Sequence, residues 1–259
     1  MLPFFLPPVL ALLGGAAGFA LRLRELATAF EADTGLPIPG AGTSTALAFL
    51  CVAVMALLGG VLWRMCRNAP TLDYGDAFRC SHPAVWAANV ASALLLAGGG
   101  LACLLDYVRG INTNLLSCVL AALLVGSAGC LLLTGWNNYR GAAQQRYNGY
   151  LLLPAYTYCL WLVLTYQAQA GNPVIQQYVY QILAIICSLL GFYFTASFSF
   201  EKGKAFLALW TGLLAAFFSG IALADFSSRM NIMLTSFSIV YFTAHSAVLL
   251  RTLTAKREE

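Results

Sequence analysis

The sequence predicts an all-α bundle of eight membrane-spanning helices, and three observations carry that reading. Apolar residues make up 60% of the chain and charged residues 9%, with a mean hydropathy of +0.77; a soluble domain carries roughly 25% charged residues. The apolar residues also fall into blocks of about 20, the length that crosses a ~30 Å hydrocarbon layer at 1.5 Å per residue. Finally, Lys and Arg alternate between rich and poor connections, as they do when successive segments lie on opposite sides of a bilayer.

The first block, Leu2–Leu21, has no Lys or Arg before it, so it reads as a retained helix, whereas a cleaved leader opens on a positive segment. The second and third are Thr45–Trp63 and Ala84–Leu105, the fourth and fifth Leu115–Trp136 and Tyr150–Ala168. Val174–Ser199 is the longest block and so is expected to tilt or to extend beyond the lipid. Ala205–Ala224 and Ile232–Leu250 complete the eight. Trp63, Trp136, Tyr139, Tyr147, Tyr150, Tyr166 and Tyr178 stand at block ends, where amphipathic rings anchor at headgroups. Gly14 with Gly18, Gly59-Gly60, Gly98–Gly100 and Gly126 with Gly129 point to tight helix packing in the first half, or to the bends that Gly-rich helices give transporters.

Of the 14 basic residues, ten lie on one side (Arg64, Arg67, Arg79, Arg140, Arg146, Lys202, Lys204, Arg251, Lys256 and Arg257). Arg22, Arg24, Arg109 and Arg229 lie on the other. Positive segments stay cytoplasmic, so both termini are expected inside, in a cell membrane of the bacterial cytoplasmic type. The connections are too short for a soluble domain, so residues 1–259 form a single membrane domain. Within it, 1–136 and 150–259 are candidate halves: Asp106, Tyr107, Arg109 and Asn112 after the third block are echoed by Asp225, Phe226, Arg229 and Asn231 after the seventh. Four helices per half would relate the halves by an axis along the membrane normal; chance matching of so short a pattern is the competing explanation.

The first outer connection, Arg22 to Gly40, is the most distinctive segment. Helix formers from Arg22 to Glu31 should carry the first helix past the lipid, stopping near Gly35 with Pro37 beyond. The stretch Leu26 to Pro37 resembles uncharacterised multi-pass membrane proteins of anaerobic Gram-positive bacteria, a resemblance that implies no activity. Glu31 and Asp33, before a rigid Pro-x-Pro turn, are candidate ligands for a cation or polar molecule; equally, Arg22 and Arg24 would neutralise Glu25, Glu31 and Asp33 on a solvated helix end. Asp106 with Arg109 and Asp225 with Arg229 are either ligand-binding pairs at an outer entrance or helix-end ion pairs.

His245, the one His within a block, suits a proton relay or cofactor ligation, and a hydrogen bond to a neighbouring helix is the plainer use. Cys66, Asp73, Asp76, Cys80 and His82 share a cytoplasmic connection, but their spacing fits no compact zinc pair, and Asp73-Tyr74-Gly75-Asp76 reads as a turn. No metal and no cofactor is expected. Six of the eight cysteines lie within apolar blocks, where a thiol is a small hydrophobe.

No phosphate-binding loop, nucleophile elbow or paired mid-membrane carboxylates occur, which disfavours an enzyme without catalytic residues to name. The net charge of +4 is dispersed and gives no nucleic-acid patch. Three readings remain, in order of preference. They are a small-molecule carrier or membrane subunit of a transporter, a sensory or accessory protein acting through partner helices or the outer loop, and a membrane enzyme or redox anchor. The expected partners are the lipid bilayer, a small-molecule ligand, and a membrane partner protein or a second copy.

Overall fold

The computed structural model describes residues 4–31, 35–67, 72–111, 114–141, 148–200, 203–225 and 228–258. Eight helices among them are long and apolar enough to cross a membrane, so the protein is an integral, multi-pass helical bundle. They are α1 (Leu6–Thr28), α2 (Gly42–Cys66), α4 (Pro83–Val108), α5 (Leu115–Arg140), α6 (Asn148–Gln169), α7 (Val179–Ser197), α8 (Ala205–Ala222) and α9 (Arg229–Glu258). A short helix, α3 (Tyr74–Phe78), lies between α2 and α4.

Local chemistry sets the helix ends. Pro7 and Pro8 occupy the first turn of α1, and Pro83 opens α4, where a missing N–H costs nothing. His82 Nδ1 accepts from Ala84 N at the start of α4, and Asn114 Oδ1 accepts from Leu116 N at the start of α5. Gly141 takes a left-handed φ of 64° to end α5. Helix α1 continues past the apolar block, as expected, but stops at Thr28, short of the predicted end near Gly35. Beyond it the chain doubles back through an isolated bridge between Phe30 and Pro37, with Gly35 at φ 65° in the bend.

The helices differ from the apolar blocks in two places. The sixth block, the longest apolar run, holds 19 α-helical residues in α7 between single 3-10 turns, Ile175–Gln177 and Phe198–Phe200, while α9 runs for 30. The last helix extends at both ends of its apolar block because good helix formers flank it. Secondly, Tyr74-Gly75-Asp76 is not a turn but the start of α3. Asp73 holds the extended N-cap conformation and Asp76 complements the helix dipole, while Tyr74, Ala77 and Phe78 share one face at i, i+3, i+4 spacing and are buried.

Helices α4 to α9 pack in a closed circuit, each against the next and α9 back against α4. The α1–α2 hairpin lies outside this circuit and docks on α8, the most deeply buried spanning helix. The two candidate halves therefore pack differently: α6 to α9 touch in sequence, whereas α2 and α4 share no substantial contact. Glycine makes the α1–α8 crossing possible. A Cβ on Gly18 would sit 2.6 Å from Ile221 Cγ1, and one on Gly220 would sit 3.1 Å from the Gly15 Cα. The glycines of α4 serve likewise, since a Cβ on Gly100 would lie 3.0 Å from the Ala121 carbonyl of α5.

Candidate functional site

At one end of the bundle a charge cluster is buried, in which Asp225 Oδ2, among the described residues, has no hydrogen-bond partner. Arg22 and Glu25 lie three residues apart on α1 and so share a face; Arg22 Nη1 donates to Glu25 Oε2 at 2.7 Å. Its Nε donates to Asp225 Oδ1 at 2.8 Å, from the 3-10 turn Leu223–Asp225 that ends α8. Nη2 donates to the carbonyl of Gln177 at 2.9 Å, and the guanidinium carbon sits 5.0 Å from the Tyr180 ring centroid. Arg22 is 0% exposed and Glu25 2%. One guanidinium thus ties together α1, the α6–α7 connection, α7 and the end of α8.

The cluster reaches the surface through Gln177. Its Nε2 donates to the Gly35 carbonyl at 3.0 Å and its Oε1 accepts from Asn172 Nδ2 at 2.9 Å. The loop it holds is itself ordered by backbone bonds, Glu31 N to Leu36 O at 2.9 Å and Ile38 N to Ala29 O at 2.8 Å. A continuous path therefore runs from an exposed loop to a buried ion pair.

The sequence-derived candidates fare unequally. Asp225 belongs to the cluster, but its partner is Arg22 and not Arg229, which is exposed at the start of α9. Arg22 is not on a solvated helix end; the two carboxylates and a carbonyl make its burial tolerable. Glu31 is exposed on the loop, and Asp33 lies outside the described residues. Asp106 is half-buried in the last turn of α4 and Arg109 is exposed just beyond it; α4 is not among the elements that meet at Arg22. Asp106 and Asp225 are therefore not brought to one cluster. Sequence reasoning passed over Gln177 and Tyr180 altogether, because neither residue type is unusual at a block end.

His245 lies at the opposite end, beneath α3. Its ring stacks between Phe78, at 4.3 Å centroid separation, and Tyr241, at 4.7 Å. Nε2 is buried and, among the described residues, has no hydrogen-bond partner, so the aromatic stack takes the place of the interhelical hydrogen bond expected of it. A cavity of about 10 Å³ beside it, touched by Cys80, Asn89 and Asn138, has room for at most one water. Tyr74 is buried with its ring 5.0 Å from that of Phe78, accepting from Asn138 Nδ2 at 3.4 Å, and burial pushes its phenol up to about 12 against the opposing hydrogen bonds of Asn138 and Thr134. Of the other cysteine-loop candidates, His82 caps α4 and Asp76 pairs with Lys256 Nζ at 2.8 Å.

Between the two ends, side chains fill the space among α6, α7 and α9. Tyr158, Phe192, Phe237, Tyr241 and Phe242 are all buried, with neighbouring centroids 4.9–6.3 Å apart. Phe242 enters a notch where a Cβ on Gly191 would lie 2.6 Å from its ring. The polar groups there bond one another: Tyr158 O–H pairs with Ser238 Oγ at 2.8 Å and Ser188 Oγ donates to Ser238 at 3.2 Å. Comparison of the chain with family models, curated proteins and solved structures finds no match.

Proposed function

We propose that this chain is a sensory or accessory membrane protein whose recognition surface is the Arg22 end, made of residues 29–31 and 35–41 and the connection 170–178. The observation that carries the reading is the double role of Gln177, which holds the loop through Gly35 and the buried cluster through its own carbonyl. The energies suit transmission. A single neutral hydrogen bond to the loop contributes about 1 kcal/mol net, whereas opening the buried pair costs about 3–5 kcal/mol. A partner can thus move the loop cheaply, and the cluster responds only to a larger displacement. Leu36 and Ile38 are exposed on the same loop beside Glu31, a mixture that suits another membrane protein more than a small polar solute.

The distribution of Lys and Arg supports placing the Arg22 end outside and the Lys256 end in the cytoplasm. The filled space among α6, α7 and α9 favours this reading over transport.

The test is a pair of loop substitutions, Leu36→Asp with Ile38→Asp, assayed by crosslinking in intact membranes. Loss of a defined crosslinked species with unchanged thermal unfolding is the expected result; the same species at wild-type yield would overturn the proposal. A carrier is the second reading, favoured by the covering of both bundle ends, by Arg22 at one and α3 at the other. Cysteines at Ser188 and Ser238 discriminate: membrane-impermeant thiol reagents reach them in a carrier that opens, from one side or the other, and leave them unmodified in a packed bundle.

A further inference from the structure

A groove of about 710 Å³ runs between α6 and α7, on the wall of the bundle that spans the membrane. Its sides are apolar and aromatic, with Tyr156 and Tyr193 more than half exposed, and Cys159 and Leu189 between them. At one end it closes on Phe200 and Lys204. Lys204 is exposed and stands at the N-cap of α8, so its ammonium adds to the positive end of that helix dipole.

We infer that this groove holds an anionic phospholipid, one acyl chain lying along α6 and α7 and the headgroup phosphate meeting Lys204. Three features of the groove select that occupant. Hydrocarbon surrounds these helices, so whatever enters is apolar along most of its length. A methylene takes about the volume of a water molecule, ~30 Å³, so a lipid chain needs on the order of 500 Å³ and fits. A docked helix needs ~400 Å³ per turn, from a 10 Å cylinder with a 5.4 Å pitch, and would find room for fewer than two turns. Among the described residues the one charged group lining the groove is a cation, Lys204, on the face of the molecule where most of the Lys and Arg lie, which is the leaflet rich in anionic lipid. The inference stands apart from the sensory reading, since it concerns the opposite end and a different helix pair.

The experiment uses the full chain in nanodiscs of phosphatidylcholine doped with a photoactivatable phosphatidylglycerol or, in parallel, a phosphatidylcholine carrying the same acyl probe. Labelled positions are read by peptide mass spectrometry. The phosphatidylglycerol probe is expected to label residues 152–159 and 189–197 about five-fold more than the phosphatidylcholine probe, the factor one lysine contributes at an anionic surface. Lys204→Gln, at an exposed site, is expected to remove that preference, and Ala155→Trp, which fills the groove, to lower labelling by both probes. Equal labelling by the two lipids in the wild-type chain would overturn the inference, as would a preference that survives Lys204→Gln. Protection of these peptides by a second copy of the chain, seen as a crosslinked dimer, would also overturn it.

Discussion

Arg22 Nε and Asp225 Oδ1 lie 2.8 Å apart although 203 residues separate them in the chain. The bond joins the α1–α2 hairpin, which stands outside the main helix circuit, to the end of α8, which stands within it. With Glu25 as second acceptor, the cluster carries one positive and two negative charges in a site where Arg22 and Glu25 are buried and Asp225 is 12% exposed. Such a site is costly to leave half-built.

Removing the cation is therefore predicted to be strongly damaging. Arg22→Met strands Glu25 and Asp225 and is expected to cost about 3–5 kcal/mol, read as a drop in thermal unfolding temperature in detergent. The triple change Arg22→Met, Glu25→Gln, Asp225→Leu removes the stranded charge and is expected to recover most of that loss. A triple variant no more stable than Arg22→Met would show that the stranded carboxylates are not the source of the loss.

Glycine substitutions separate packing from propensity. Gly18→Val drives side-chain carbon into Ile221 and is expected to cost about 1–3 kcal/mol and to expose α2 to labelling at Cys51, buried in the native bundle. Gly60→Ala meets nothing within 4 Å and is expected to stabilise by about 0.5–1 kcal/mol, the helix propensity gain. Equal effects at the two positions would contradict the docking of α1 on α8.

The short helix α3 is held by packing and not by charge. Phe78 is 3% exposed and stacks on His245, so Phe78→Ala is expected to cost about 3–5 kcal/mol and to raise hydrogen exchange over residues 74–80. Lys256 and Asp76 are exposed, and Lys256→Ala is expected to change stability by less than about 1 kcal/mol. Exchange that rises with Lys256→Ala and not with Phe78→Ala would reverse this assignment.

Tyr74 gives a pH signature. Burial raises its phenol from 10.0 to about 12, so the folded state keeps the proton over a range where the unfolded chain loses it. Its contribution is complete below pH 10 and is lost as pH rises from about 10 to about 12. Tyr74→Phe is expected to flatten that part of the stability profile, measured by unfolding at stepped alkaline pH. An unchanged profile would place the titration elsewhere.

The sequence disclosed what lipid imposes and little of what long-range packing imposes. Each span could be read from its own apolar run, because a helix in hydrocarbon satisfies its amides locally. The spacing of Gly14 and Gly18 pointed to a close approach without showing that its partner is Ile221 on α8. Helix α3 was hidden because five residues are too few for periodicity to be seen, and Gly75 within them points to a turn. The charge cluster was hidden differently: Arg22, Glu25 and Asp225 were each visible, but their pairing depends on how the α1–α2 hairpin docks. Arg229, four residues after Asp225, offered a nearer partner that the fold does not use.

Hydrogen exchange in nanodiscs, comparing wild type with Asp225→Asn, tests most directly whether Arg22 joins the loop to the bundle. Loss of protection in residues 35–41 and 172–181 together, with α5 unchanged, is the predicted result. Exchange that stays at wild-type levels in both segments, or rises in one without the other, would contradict it.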